Sequence, residues 1–200
     1  RDSVASRGLG DVYKRQHLCK KYIVMNISLI GYMGSGKTTV GKILAKQLGR
    51  TFIDLDHFIE NAHGRTIPEI FREKGEIGFR KIEREMLENL LQKENIILSL
   101  GGGTPAYYNN MHLINQLSHS VYLQTPLNEL TERLCKNKEQ RPLLIHLEDD
   151  ELAEYIAKHL FERRAFYEQA HTHFKTQQMN PQDVALLLIE HLRYQKILPK

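Results

Sequence analysis

Gly31-x-x-x-x-Gly36-Lys37-Thr38 brings glycines, a lysine and a hydroxyl into one short turn. Glycines there let backbone N–H groups converge on phosphate oxygens, and a following helix adds its positive dipole end. The spacing predicts that Gly34, Ser35, Gly36, Lys37, Thr38 and Thr39 hold a nucleotide. Lys37 would reach the terminal phosphates and Thr38 would offer its hydroxyl to Mg²⁺. Such a string arises by chance in roughly one random chain per hundred. A strand before it and a helix after it make chance a weaker explanation.

A second set of groups follows in "FIDLDHFIE". Asp54 and Asp56 are two residues apart at the end of a predicted strand, and alternate strand residues share a face. Both carboxylates are therefore expected in one crevice, beyond the carboxyl ends of the strands, beside the phosphate loop. One would hold a metal's water shell; the other would accept a hydrogen bond, or the proton itself, from a hydroxyl. An aspartate before "HFIE" also makes a good helix N-cap, and the two roles are compatible.

The elements that must position these groups can be read from hydropathy. Apolar runs at 27–31, 51–56, 95–103, 119–125 and 171–176 predict strands. Helical patterns fall at 37–48, 57–62, 67–74, 76–93, 110–117, 126–135, 149–169 and 181–193. Phe79, Ile82, Met86 and Leu90 share a face of the fourth helix. Strands alternating with helices predict an α/β fold: a five-stranded parallel sheet with helices on both faces. Two stretches exceed simple crossovers. The helical stretch between the second and third strands is one; the polar segment "KNKEQRPLLIHLEDD" (136–150), which reads as a long mobile loop, is the other.

Composition bounds the rest. The apolar fraction of 41% and charged fraction of 26% are those of an ordinary single soluble domain. No run is long enough to span a membrane. Cys19 and Cys135 form no metal spacing or disulfide framework, so a reducing, cytoplasmic setting is expected. The net charge of +4 lies entirely in residues 1–24, while the remaining acidic and basic residues balance. Nucleic acid is thus not an expected partner. That leader starts without Met, has no secretory apolar core, and reads as an appended, non-native or disordered stretch; Met25 is a plausible natural start.

"GYMGSGKTTVGKILAKQLGRTFIDLD", "GEIGFRKIE", "LSLGGGTP", "RPLL" and "ERRAFYEQA" occur in the order found in shikimate kinases. The chain from Met25 to the last helix resembles that family. The resemblance implies a three-layer P-loop kinase fold like that of nucleoside-monophosphate kinases, with a substrate subdomain at about 56–93 and a lid at about 136–150. It implies MgATP-dependent phosphorylation of the 3-hydroxyl of shikimate, on the route to chorismate and the aromatic amino acids, by a monomer.

The same resemblance implies particular roles. Asp56 would bond the substrate hydroxyls and Asp54 would assist Mg²⁺ through water. Arg80 would hold the shikimate carboxylate, a task suited to the guanidinium fork; taken alone it reads as a solvated helix charge beside Lys81, Glu83 and Arg84. Gly101, Gly102 and Gly103 would bring bare backbone against the substrate, replacing the metal-binding aspartate usual on a third strand. Arg141 in "RPLL" would close onto the transferring phosphate, and Arg133 would stack on adenine. Arg163 would grip the carboxylate from the opposite side. Arg164 competes for that role, because the family's R-x-P-L-Y reads here Arg163-Arg164-Ala165-Phe166-Tyr167; spacing to Tyr167 favours Arg163. Met179 stands where some relatives carry an adenine-side arginine.

Two other functions compete. A kinase for gluconate or a nucleoside monophosphate would share the loop without needing D-x-D, F-R, the triple glycine and RPLL together. A non-catalytic nucleotide-binding module would be expected to have lost one of Lys37, Asp56 or Arg141. His171 and His173 lack metal-site companions and read as surface or packing residues.

Overall fold

A computed structural model of the chain describes residues 25–138 and 144–199. The leader at 1–24 and Arg141 lie outside the described residues, so the expectations for them are not addressed by the fold.

Five strands form the sheet: β1 (Asn26–Ile30), β2 (Thr51–Asp54), β3 (Ile96–Ser99), β4 (Ser118–Gln124) and β5 (Thr172–Lys175). Their order is β2-β3-β1-β4-β5, and every pairing is parallel. This is the predicted sheet. Seven α-helices occur among the described residues: α1 (Lys37–Leu48), α2 (Leu55–His63), α3 (Ile67–Leu91), α4 (Asn110–Leu117), α5 (Leu127–Lys136), α6 (Asp149–Tyr167) and α7 (Pro181–Tyr194). None is long and apolar enough to cross a membrane.

The central strand β1 is buried along its whole length because apolar layers cover both of its faces. On one side Ile27, Leu29, Val121 and Leu123 pack with Val40 and Leu44 of α1 and Val184 and Leu188 of α7. On the other, Ile30, Leu98 and Tyr122 pack with residues of α2 to α6, including Leu55, Phe79, Leu134, Ile156 and Tyr167. Alternation along the strands sends neighbouring residues to opposite layers.

Two boundaries differ from expectation. β2 ends at Asp54 and α2 begins at Leu55, so Asp56 belongs to the first turn of a helix rather than to a strand. β3 ends at Ser99, leaving the triple glycine as loop. The helical insertion is as read. α3 starts on a Thr66–Glu69 capping box and breaks at Gly75 (φ 67°, ψ 179°), between the two helical patterns seen in the sequence.

Candidate active site

The phosphate loop joins the carboxyl end of β1 to α1. Gly34 and Gly36 adopt left-handed backbone (φ 80° and 90°), which the turn needs and glycine supplies without strain. Lys37 is buried, and its Nζ donates to the carbonyls of Gly31 and Tyr32, both at 2.9 Å. Its ammonium is thus held inside the curl of the loop. Ser35 is buried as well, whereas Thr38 and Thr39 are exposed at the helix start. Gly34, Gly36, Lys37, Thr38 and Thr39 all line a cavity of about 440 Å³.

Asp54, Asp56 and Ser99 line the same cavity. Asp54 is level with Ser99 in the β2–β3 register, and its Oδ2 accepts from Thr38 Oγ1 at 2.7 Å. The expected shared crevice is therefore present, though strand alternation does not produce it. Asp54 ends the strand, and the first turn of α2 swings Asp56 in beside it. Asp56 does not cap α2; Asp54 occupies the cap position and makes no side-chain capping bond. Burial, and then the neighbouring carboxylates of Asp54 and Glu83, push the Asp56 carboxyl up from the usual 3.8 to about 6, although Lys37 acts in the opposite sense. Among the described residues there is no group of three His, Cys, Asp or Glu side chains able to hold a metal by themselves.

The glycine run is the wall shared by the remaining groups. A Cβ on Gly101 would lie 2.8 Å from Asp56 Oδ1, and one on Gly103 would lie 2.8 Å from Arg80 Nη2. Either contact is shorter than real Cβ atoms tolerate, so bare backbone is what lets these two side chains close in. At Gly102 a Cβ would sit 3.7 Å from Arg163 Nη1. Tyr167 Oη donates to the Gly102 carbonyl at 2.5 Å and pins the run to α6.

Arg80 Nη1 donates to Glu83 at 2.8 Å, and Glu83 also accepts from Thr104 Oγ1 at 2.6 Å. Arg80 Nε is buried with no hydrogen-bond partner among the described residues. Reading Arg80 and Glu83 as solvated helix charges is thereby corrected: Glu83 is 1% exposed. The missed signal was in the sequence, because Glu83 lies one turn from Phe79 and Met86 on the apolar face. Thr104 and Tyr167 were likewise not singled out as supports.

Arg163 and Arg164 separate by helix face. Arg163 is half-buried with its guanidinium 5.7 Å from the Tyr32 ring centroid, against the phosphate loop and Gly102. Arg164 is exposed and paired with Glu168 at 2.6 Å. Arg133 lines the cavity with Asn137 and Pro181, pairs with Glu129 and reaches the Gly34 carbonyl at 3.4 Å. Met179 packs beneath, against the α1–α7 layer. His119, deep at the opposite end of the sheet, bonds Thr172 and is held well below the usual histidine range, at about 4, first by burial and then by His171.

A parallel sheet ordered 2-3-1-4-5, a lysine-bearing phosphate loop at the end of its central strand and an aspartate lining the same cavity define a P-loop phosphotransferase. The shikimate kinase family profile matches residues 33–193. Among curated relatives, the shikimate kinase of Flavobacterium psychrophilum is 50% identical over 144 residues, which is 70% of this chain and 83% of the relative. The crystal structure of shikimate kinase from Bacteroides thetaiotaomicron superposes with a TM-score of 0.80 at 41% identity, covering 84% of this chain and 98% of that one. Shikimate kinase from Acinetobacter baumannii, solved in complex with shikimate, gives 0.79 at 38% identity, over 87% and 96% of the two chains. The chain belongs to the shikimate kinase family.

Proposed function

We infer that this chain transfers the γ-phosphoryl group of ATP to shikimate, a step in aromatic biosynthesis, and that the 3-hydroxyl is the acceptor. The observation that carries the reading is the position of Asp56. It shares the cavity with Lys37 and lies against Gly101, in the glycine run that also backs Arg80 and Arg163. Donor and acceptor groups thus meet at one carboxylate.

The acceptor fits this site chemically. Shikimate carries one carboxylate at one end of a ring and hydroxyls at the other. Arg80 offers an unpartnered buried Nε–H beside Gly103, and Arg163 lies beside Gly102. A carboxylate held by both would turn the ring's hydroxyls toward Asp56. Ionised Asp56 takes the proton as the 3-hydroxyl oxygen bonds to the γ-phosphorus and the bond from phosphorus to the β-phosphate oxygen breaks, leaving ADP. A carboxylate near pKa 6 is mostly ionised at neutral pH yet more basic than an ordinary aspartate, which suits that task. Lys37 and the amides of Gly34 to Thr38 stabilise the phosphate charge, and Arg141 keeps the role that the family resemblance implies, a charge on the transferring phosphate.

Thr38 and Asp54 fit a Mg²⁺ ion that would take most of its ligands from water and phosphate oxygens, since among the described residues no group of three His, Cys, Asp or Glu side chains could hold it. An ion held there would supply neutralisation of phosphate charge. Residues 25–200 are read as one domain acting as a cytoplasmic monomer on small molecules, with neither nucleic acid nor membrane as partner.

Coupled ADP release with shikimate, gluconate and AMP, each at saturating MgATP, tests the reading. Turnover with shikimate alone is expected. Absence of shikimate-dependent ADP overturns the function, and equal turnover of gluconate overturns the specificity.

A further inference from the structure

Arg80 is gripped on three sides by protein, and one of those contacts comes from a segment outside the sequence motifs. Tyr107 follows the glycine run and a short 3-10 turn (Thr104–Ala106). Its ring centroid is 4.0 Å from the Arg80 guanidinium carbon, closer than Phe79 at 5.1 Å or Phe71 at 5.9 Å. Separations of this size are those of a stacked cation and aromatic face. The Tyr107 hydroxyl donates to Glu76 Oε1 at 2.6 Å, across to α3 just after its break at Gly75. Glu76 in turn stands 3.7 Å from Arg80 Nη2.

The backbone that delivers this ring is strained. Tyr108 (φ 47°) and Asn109 (φ 57°), the next two residues, both occupy the left-handed region although neither is glycine. That conformation is uncommon for a bulky side chain and persists only where surroundings enforce it. Here they do. Arg84 Nη1 donates to the Tyr108 carbonyl at 3.1 Å and to Asn110 Oδ1 at 2.8 Å, while Asn110 Nδ2 donates to the Thr104 carbonyl at 2.7 Å. The same Thr104 fixes Glu83, which fixes Arg80. The strained turn and the arginine are therefore tied into one network whose result is a phenol ring laid on the guanidinium plane.

We propose that Tyr107 is a positioning residue for acceptor binding: its ring fixes the plane of Arg80 so that only the guanidinium edge is left to meet the substrate carboxylate. The proposal rests on the reading of Arg80 as the carboxylate grip. With Glu83 on Nη1, Glu76 3.7 Å from Nη2 and Tyr107 on the face, the guanidinium has its Nε–Nη2 edge left for a carboxylate, which takes Nη2 in competition with Glu76. A carboxylate is held equally in ground and transition states, so the effect belongs in KM for shikimate rather than in kcat.

The test compares Tyr107→Leu and Tyr107→Phe with the wild type, measuring KM for shikimate, KM for ATP, kcat and thermal stability. Tyr107→Leu should raise KM for shikimate about three- to thirty-fold, with kcat and KM for ATP nearly unchanged. Tyr107→Phe keeps the ring and should restore most of the affinity. An unchanged shikimate KM in a folded Tyr107→Leu overturns the proposal while leaving the function intact; absence of shikimate turnover in the wild type overturns both. Should Tyr107→Leu not fold, ¹³C-tyrosine NMR of the wild type, assigned with Tyr107→Phe, gives the answer directly. The Tyr107 ring signals should shift on adding shikimate and not on adding MgATP alone, and ring signals indifferent to shikimate overturn the proposal.

Discussion

The donor and acceptor halves of this site are built in different ways. From Gly31 to Thr38 the donor half is one continuous turn, and most of what it offers a phosphate is backbone N–H and a helix end, with Lys37 held by two carbonyls of the same turn. The half we assign to the acceptor is drawn from α2, α3, the glycine run and α6, and what it offers is side chains. A Cβ on Gly101 or Gly103 would crowd Asp56 or Arg80, whereas one on Gly102 would make only ordinary contact with Arg163. A nucleotide's phosphates can be met by local chain geometry. A small ring acid with a charge at one end and hydroxyls at the other needs groups from opposite sides, and only tertiary packing supplies those.

If that division is right, substitutions in the two halves should separate kinetically. One of the two largest effects is expected on the donor side. Lys37→Met should lower kcat by about 10²–10³, since one fixed charge opposite the transferring phosphate is lost. A change confined to shikimate affinity would break the comparison.

Next in size is Arg163→Ala, which should raise KM for shikimate about ten- to a hundred-fold, the worth of a charge-assisted pair, and leave KM for ATP within about three-fold. Its neighbour supplies the contrast. Arg164→Ala removes only an exposed ion pair to Glu168 and should change neither constant by more than about two-fold. Equal effects from the two arginines would contradict the assignment by helix face.

The smallest effect concerns stability. Because the folded state holds the Asp56 proton up to about pH 6 and the unfolded chain releases it near 3.8, stability from this group is present below 3.8 and lost as pH rises through 6. Ionised Asp56 then costs about 2–3 kcal/mol at neutral pH. Asp56→Asn should raise Tm at pH 7.5 by about 4–12 °C, and the gain should disappear by about pH 4. A lower Tm at pH 7.5 would show that the carboxylate supports the fold.

The same contrast governs what the sequence discloses. Gly31 to Thr38 were legible because their geometry is local, and the alternating apolar runs gave the sheet for the same reason. Asp54 and Asp56 were rightly paired, but by strand alternation, whereas a helix begins between them. Spacing to Tyr167 favoured Arg163 over its competitor Arg164, but adjacent helix residues differ by about 100° and the facing direction depends on packing. Glu83 read as solvated because charge usually is, although its place on the face of Phe79 and Ile82 was visible. Tyr107 had no sequence signal. Its role depends on two left-handed residues that no composition rule predicts.

The claim at the centre is that Asp56 serves the acceptor and not the nucleotide. It is tested most directly by Asp56→Asn, measuring phosphoryl transfer to shikimate and ATP affinity on the same preparation. The account predicts a loss of kcat of about 10²–10⁴ with ATP affinity unchanged. Retained turnover, or a loss of ATP affinity in parallel with turnover, would contradict it.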